Sequence, residues 1–246
     1  MIEAVALGGL PEIEAGADLG AIIAATAELR DGDVVVVAHK AVSKAEGRTR
    51  RLADIEPGPR AHELAKVQGK DPRHVQAILD ETAELLRAER GVLIARTRHG
   101  FVCANAGVDE SNAAGEGELV LLPLDPDGAA RELRGRLAAL SGRRLGVVIT
   151  DSFGRAWRHG QLDVAVGIAG LAPLDDWRGR RDRRGRELHA SVIALADAAA
   201  ATADLARAKD SGEPVVIVRG LGPHVREDDG PGAAALIRPL AEDLFR

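Results

Sequence analysis

Aromatic side chains make up only 2% of these 246 residues: three Phe, two Trp and no Tyr. A core must therefore be filled by Ala, Val, Leu and Ile. The chain also lacks the set of rings on which the bases of a single-stranded nucleic acid would stack. One cysteine, Cys103, is present, which excludes an intramolecular disulfide and a zinc site built from several thiolates. No stretch approaches the roughly 18 uninterrupted apolar residues of a membrane span. The opening MIEAVALGGLPEI has neither the basic start nor the long apolar segment of a leader. The formal net charge of −5 disfavours non-specific binding to nucleic acid. Together these absences predict a soluble, cytoplasmic protein with no nucleic-acid partner and no membrane association. The common nucleotide signatures are missing as well. There is no G-x-x-x-x-G-K-[ST], GEGELV (115–120) and GLGPHV (220–225) fall short of G-x-G-x-x-G, HELAK (62–66) has Lys66 where a zinc helix needs its second His, and no G-x-S-x-G occurs.

What is present is a globular composition, 46% hydrophobic and 29% charged. EAVAL (3–7) reads as a strand, and ADLGAIIAATAEL (17–29) as a helix starting near Asp18. VVVV within 31–40 reads as a strand buried on both faces. The spacing then predicts a loop over AVSKAEGRTR, helices over 59–68 and 72–88, and a hairpin over 91–107 that turns near RHG. Further strands are expected at 117–128, 144–152, 162–174 and 214–220. Helices are expected at 129–140, within 187–209 and near the C-terminus, where Pro239 limits the last one. The reading is an α/β (mixed α+β) fold, not Rossmann or P-loop, with residues 1–246 forming a single intertwined unit.

Three strand-like runs end in polar clusters: VVVVAHKAVSKAEG (34–47), FVCANAGVDESN (101–112) and GVVITDSFGR (146–155). Strand ends in α/β folds are where ligands gather. Asp109 and Asp151, with the Ser152 hydroxyl beside them, have the hard oxygens that suit magnesium or manganese. Asp also caps turns and helices, and spacing alone leaves both readings open. Lys44 could hold a phosphate as a point charge, or lie on the surface as most lysines do. The backbone of GLPEI (9–13) could face an anion or form a simple turn. WRGRRDRRGRE (177–187) could grip a polyanion or form a solvated loop. None of the seven histidines is assigned to catalysis.

Taken together, VSKAEGR, NAGVD-SN and DSFGR-WR-GQ-DVA-G are distinctive. With GLPEI, LLPLDPDGAAREL and PVVIVRG they run from near residue 9 to residue 220, and the chain they mark resembles the F420 γ-glutamyl ligase family. A similar domain forms the N-terminal half of a larger two-domain ligase in actinobacteria. The resemblance implies the family's own mixed fold and a homodimer. It also implies a reaction in which GTP phosphorylates a carboxylate of coenzyme F420-0 and the α-amine of L-glutamate displaces the phosphate. Magnesium or manganese would serve as two divalent ions, with potassium as a further ion. By the same resemblance Asp109 and Asp151 would ligate the first ion, Ser152 would contact the second, and Asn112 would touch the nucleotide. Leu10, Pro11, Glu12, Ile13, Ser43 and Lys44 would complete the GTP contacts, and Arg155, Arg158 and Gln161 match the motif without an assigned role. Two positions depart from the pattern. Lys209 stands where an acidic residue would help bind the second ion, and Ala198 stands where a Glu would be. A phosphate- or GTP-binding regulatory module without turnover is the alternative that these departures keep open, and an RNA-binding role for the arginine-rich stretch is a third.

Overall fold

The computed structural model describes residues 1–110, 115 and 117–243. The chain opens with β1 (Glu3–Ala6) and α1 (Leu19–Thr26). The Asp18 carboxylate accepts a hydrogen bond from the Ala21 amide and so caps α1. β2 (Val34–Ala38) runs directly into α2 (His39–Ala45), and β3 (Thr49–Arg51) follows. Next come α3 (Pro59–Gln68), α4 (Pro72–Glu81), β4 (Thr82–Glu89), β5 (Val92–Thr97), β6 (Val102–Ala104) and β7 (Glu118–Val120). The rest is α5 (Pro126–Ser141), β8 (Gly146–Arg155), β9 (Arg158–Ala169), β10 (Leu174–Asp176), β11 (Val192–Ala194), α6 (Leu195–Ala206) and β12 (Val215–Arg219). Two of the helix starts are written as Asp-Pro. Asp71 and Asp125 cap α4 and α5 with their carboxylates, and the proline at the first helical position loses no needed amide.

Five strands form the central sheet in the order β1-β12-β2-β8-β9. Only the β2–β8 pair is parallel; β12 runs antiparallel to both its neighbours. This arrangement is neither a doubly wound dinucleotide fold nor a P-loop sheet. The alternation of side chains along each strand explains why so many are apolar. Val35, Val37, Val147 and Ile149 pack on one face with Ile23 of α1, Val42 of α2 and Leu137 of α5. Val34, Val36, Val148 and Val216 pack on the other face with Ala196 and Ala203 of α6. A further core, which includes Ala61, Val75, Ile78, Leu93 and Leu119, fills the segment between β3 and β7. That segment carries the three-stranded sheet β4-β5-β6 and is inserted in the chain between the parallel partners β2 and β8.

Local expectations failed at three places. The AVSKAEGRTR region is α2 and β3 instead of a loop. The helix expected to reach residue 88 stops at Glu81, because the next residues pair with β5 through a turn at Arg90 and Gly91. Both turn residues have positive φ, 54° and 77°, as tight hairpin turns with the sheet's natural twist require. The C-terminal region forms only short 3-10 turns at Ala233–Leu236 and Leu240–Glu242. Among the described residues no helix is long and apolar enough to cross a membrane.

Candidate active site

A cleft of about 1040 Å³ opens where the carboxyl ends of β2 and β8 meet the inserted segment. Its floor is made by the β2–α2 junction, Ala38 to Ala41, and by Thr150, Asp151 and Ser152 of β8. Leu10, Pro11, Glu12 and Ile13 form one rim. Residues of the 207–214 segment between α6 and β12 form another. Asp109 comes from the inserted segment and completes the wall.

Asp109 is delivered by an unusual backbone. Asn105, Ala106 and Gly107 have φ of 53°, 53° and 72° in succession, a left-handed run that non-glycine residues adopt at a cost. Val108 returns the chain to the buried core. Asp109 then exchanges two backbone hydrogen bonds with Val120, at 3.0 and 2.8 Å. Its carboxylate Oδ2 lies 2.5 Å from Lys40 Nζ on α2, so an ion pair joins the inserted segment to the end of β2. A Cβ on Gly107 would come within 2.7 Å of the Leu122 side chain. Gly107→Ala is therefore expected to destabilise the protein by about 1–3 kcal/mol through clash and strain and to displace Asp109. Thermal melting together with ligand-binding titration checks both effects.

Asp151 is placed by β8. Its Oδ1 accepts a hydrogen bond from the Ser152 amide at 2.8 Å, and His39 Nε2 approaches the same oxygen at 3.3 Å without an aligned hydrogen bond. His39 is fully buried, and its Nδ1 lies 3.3 Å from Ser43 Oγ one helical turn on. Ser43 is thus behind the wall: it braces His39 and does not line the cleft. Ser43, expected from the resemblance to touch the nucleotide, is fully buried. Its position on α2, on the face that packs on the sheet, turns it inward. Lys44 does line the cleft, paired with Glu12 at 2.5 Å. Asn112 lies outside the described residues. Of the motif positions without a role, Gln161 lines the cleft and Arg155 and Arg158 do not. The arginine-rich stretch contributes no lining residue either. Arg178 pairs with Asp176 at 2.5 Å and Arg180 stacks over Trp177 at 4.8 Å.

Successive residues of β8 point to opposite faces, so Asp151 and Ser152 serve different sides of the sheet. On the α6 side the Ser152 hydroxyl donates to Asp163 Oδ1 at 2.6 Å, and Thr150 Oγ1 lies 3.1 Å from Asp163 Oδ2. Arg207 binds the same carboxylate at 2.6 Å and also donates to the carbonyl of Pro214 at 2.8 Å. Burial pushes the Asp163 carboxyl upward, but the Ser152 hydrogen bond and the charges of Arg207 and Lys209 outweigh it and hold the group below its ordinary value. Asp163, Arg207, Lys40 and His39 are cleft residues that sequence reasoning did not single out. The signal available for the last two was their place at the end of the Val34–Ala38 run; nothing local marks the Asp163–Arg207 pair.

Cys103, in the stretch leading to Asp109, takes no part as a nucleophile. Burial, reinforced by the negative charge of Asp151, pushes its thiol up to about 12, and the reactive form of cysteine is the thiolate. The folded protein is expected to resist thiol reagents at neutral pH and to react fully once denatured, which a colorimetric thiol titration reads directly.

Asp109 and Asp151 bring two carboxylates to one cleft, and both contacts described for Asp151 use Oδ1, not Oδ2. Hard oxygens of this kind fit magnesium or manganese, ions that keep several waters or phosphate oxygens and need only one or two protein carboxylates. No group of three or more His, Cys, Asp or Glu that could hold a metal ion occurs among the described residues.

Comparison with known proteins gives the family. Residues 9–220 match the family described as F420-0:gamma-glutamyl ligase. The chain is 47% identical over 253 residues to the coenzyme F420:L-glutamate ligase of Methanopyrus kandleri, covering 98% of this chain and 100% of that protein. It is 43% identical over 252 residues to the protein of the same name from Methanothermobacter thermautotrophicus, covering 100% and 99%. With that of Archaeoglobus fulgidus it shares 46% identity over 221 residues, covering 89% and 88%. This chain belongs to the F420-0:gamma-glutamyl ligase family.

Proposed function

We propose that the protein joins L-glutamate to coenzyme F420-0 by an amide bond, at the expense of GTP, through an acyl-phosphate intermediate. The observation that carries the reading is the meeting of Asp109 and Asp151 with Lys40 and Lys44 in one cleft of about 1040 Å³, in a chain whose relatives bear the name of that ligase. A carboxylate is a poor electrophile, and phosphorylation gives it a leaving group. In the first step a carboxylate oxygen of the coenzyme attacks the γ-phosphorus, the bond to the bridging oxygen breaks, and GDP departs. In the second the glutamate amine attacks the acyl carbon, the bond to the phosphate oxygen breaks, and the amine gives up a proton.

Transfer of a phosphoryl group asks chiefly for in-line positioning and for neutralisation of charge. Lys40 and Lys44 supply positive charge to the cleft, and residues 10–13 and 212–214 shape the rims that would enclose the nucleotide. Asp109 and Asp151 would hold a divalent ion, which would supply neutralisation of phosphate charge. His39 and Ser43 keep Asp151 oriented from behind. The α-amine of glutamate must lose its proton before it attacks, and a negatively charged cleft group or solvent would take that proton.

Incubating purified protein with the coenzyme, glutamate, GTP and magnesium, followed by mass spectrometry, tests the reading. Expected are a product heavier by one glutamyl residue and a matching amount of GDP. Tight GDP binding with no product would support the regulatory module instead. The homodimer that the resemblance implies belongs to the same proposal, and analytical ultracentrifugation checks it.

A further inference from the structure

On the α6 side of the cleft three oxygens from three segments surround one nitrogen. Lys209 Nζ lies 2.8 Å from Ser152 Oγ on β8, 3.1 Å from Asp163 Oδ1 on β9, and 2.7 Å from Asp204 Oδ1 on α6. Asp204 Oδ1 is buried and makes no aligned hydrogen bond, so this ion pair is the contact the structure gives it. The Lys209 side chain is nevertheless 61% exposed, and the residue lines the cleft. Its ammonium is therefore held from behind and open in front.

From this geometry, and resting on the ligase reading above, we infer that the Lys209 ammonium is a resident cation. It occupies the one place on this side of the cleft where Ser152, Asp163 and Asp204 would otherwise gather a second divalent ion. The enzyme consequently works with a single divalent ion, at Asp109 and Asp151.

The charge balance supports this. Asp163 and Asp204 are matched by Arg207 and Lys209. The cluster is then neutral and has no surplus negative charge to offset the dehydration of an incoming magnesium ion, which gives up its waters reluctantly. Lysine is a compact point charge on a flexible stem with three donors. It can satisfy such oxygens while part of its charge still faces the nucleotide. Removing it would leave two carboxylates against one arginine and an open cavity among them.

The test counts manganese bound per chain in the presence of GDP, by the paramagnetic resonance of free manganese, corrected for GDP alone. The wild type is expected to bind one ion, Lys209→Ala to gain a second, and Lys209→Arg, which keeps a cation in place, to remain at one. Lys209→Ala removes a partner of the buried Asp163 and Asp204 carboxylates and is expected to melt lower than the wild type, while Lys209→Arg keeps the charge, so ions are counted below the onset of melting of each protein. Two ions on the wild-type chain, or no gain in Lys209→Ala, would overturn the inference and leave the ligase reading standing. No nucleotide-dependent manganese binding in any of the three proteins would overturn both.

Discussion

Replacing Asp109 or Asp151 by asparagine is expected to lower the rate of coenzyme- and glutamate-dependent GDP release on the order of 100-fold or more, since even outer partners of metal ligands are worth 10–100-fold. Asparagine keeps the shape of the side chain and removes its charge. At Asp109 the two backbone hydrogen bonds to Val120 are untouched. The side chain is 40% exposed, so the fold loses little. At Asp151 the amide oxygen can still accept from the Ser152 amide, as Oδ1 does now. Both variants should therefore fold, with melting temperatures near that of the wild type, and bind manganese weakly. A kinetic loss accompanied by unfolding would point to a structural role, and wild-type activity in both variants would remove the two carboxylates from the mechanism.

The second large effect is one of stability. Arg207→Met is expected to destabilise the protein by about 3 kcal/mol, the lower end of the cost of stripping one partner from a buried ion pair. Arg207 and Asp163 are 8% and 2% exposed, so water cannot replace the guanidinium. Lys209 remains at 3.1 Å and keeps the loss from being larger. The bonds to Thr150 and to the Pro214 carbonyl go as well. For a chain of this size the melting temperature should fall by roughly 6–12 °C.

The penalty is that of a buried unpaired carboxylate, so it should depend on pH in a defined direction. In the wild type Asp163 titrates below its ordinary value. Its contribution is therefore complete above the unfolded-state pKa of about 4 and is lost as pH falls through the lower folded value. In Arg207→Met the carboxylate has lost the guanidinium, so protonation relieves the defect. The gap between the two proteins should narrow as pH falls toward about 4, as read by denaturant unfolding across a pH series. Adding Asp163→Asn to Arg207→Met should recover part of the loss, a non-additivity expected of direct partners. A gap that stays constant with pH and a strictly additive double variant would mean that packing, not charge, holds the two segments together.

Much of this molecule was legible in one dimension. The Asp-Pro pairs at 71–72 and 125–126 mark helix starts because a cap and a preset φ act within a few residues. The unbroken valines of 34–37 announce a strand covered on both faces. The runs ending at Asp109 and Asp151 point to strand ends rich in hard oxygens, and both residues line the same cleft. Periodicity, capping and composition are local properties, and the sequence by itself determined what depends on them.

Tertiary structure decided the rest. Residues 82–89 have helical spacing but lie in a strand, because the Arg90–Gly91 turn folds them onto β5. Ser43 sits one helical turn from His39, and only the packing of α2 on the sheet turned it away from the cleft. Asp163 meets Arg207, and Lys209 meets Ser152, from positions 44 and 57 residues apart. These partners are chosen by strand register, by the irregularity in the β8–β9 ladder between Ile149 and Thr150, and by the end of α6. A charge buried far along the chain from its counter-ion carries no local mark, because the energy that pairs them exists only after the strands between them have closed into one sheet.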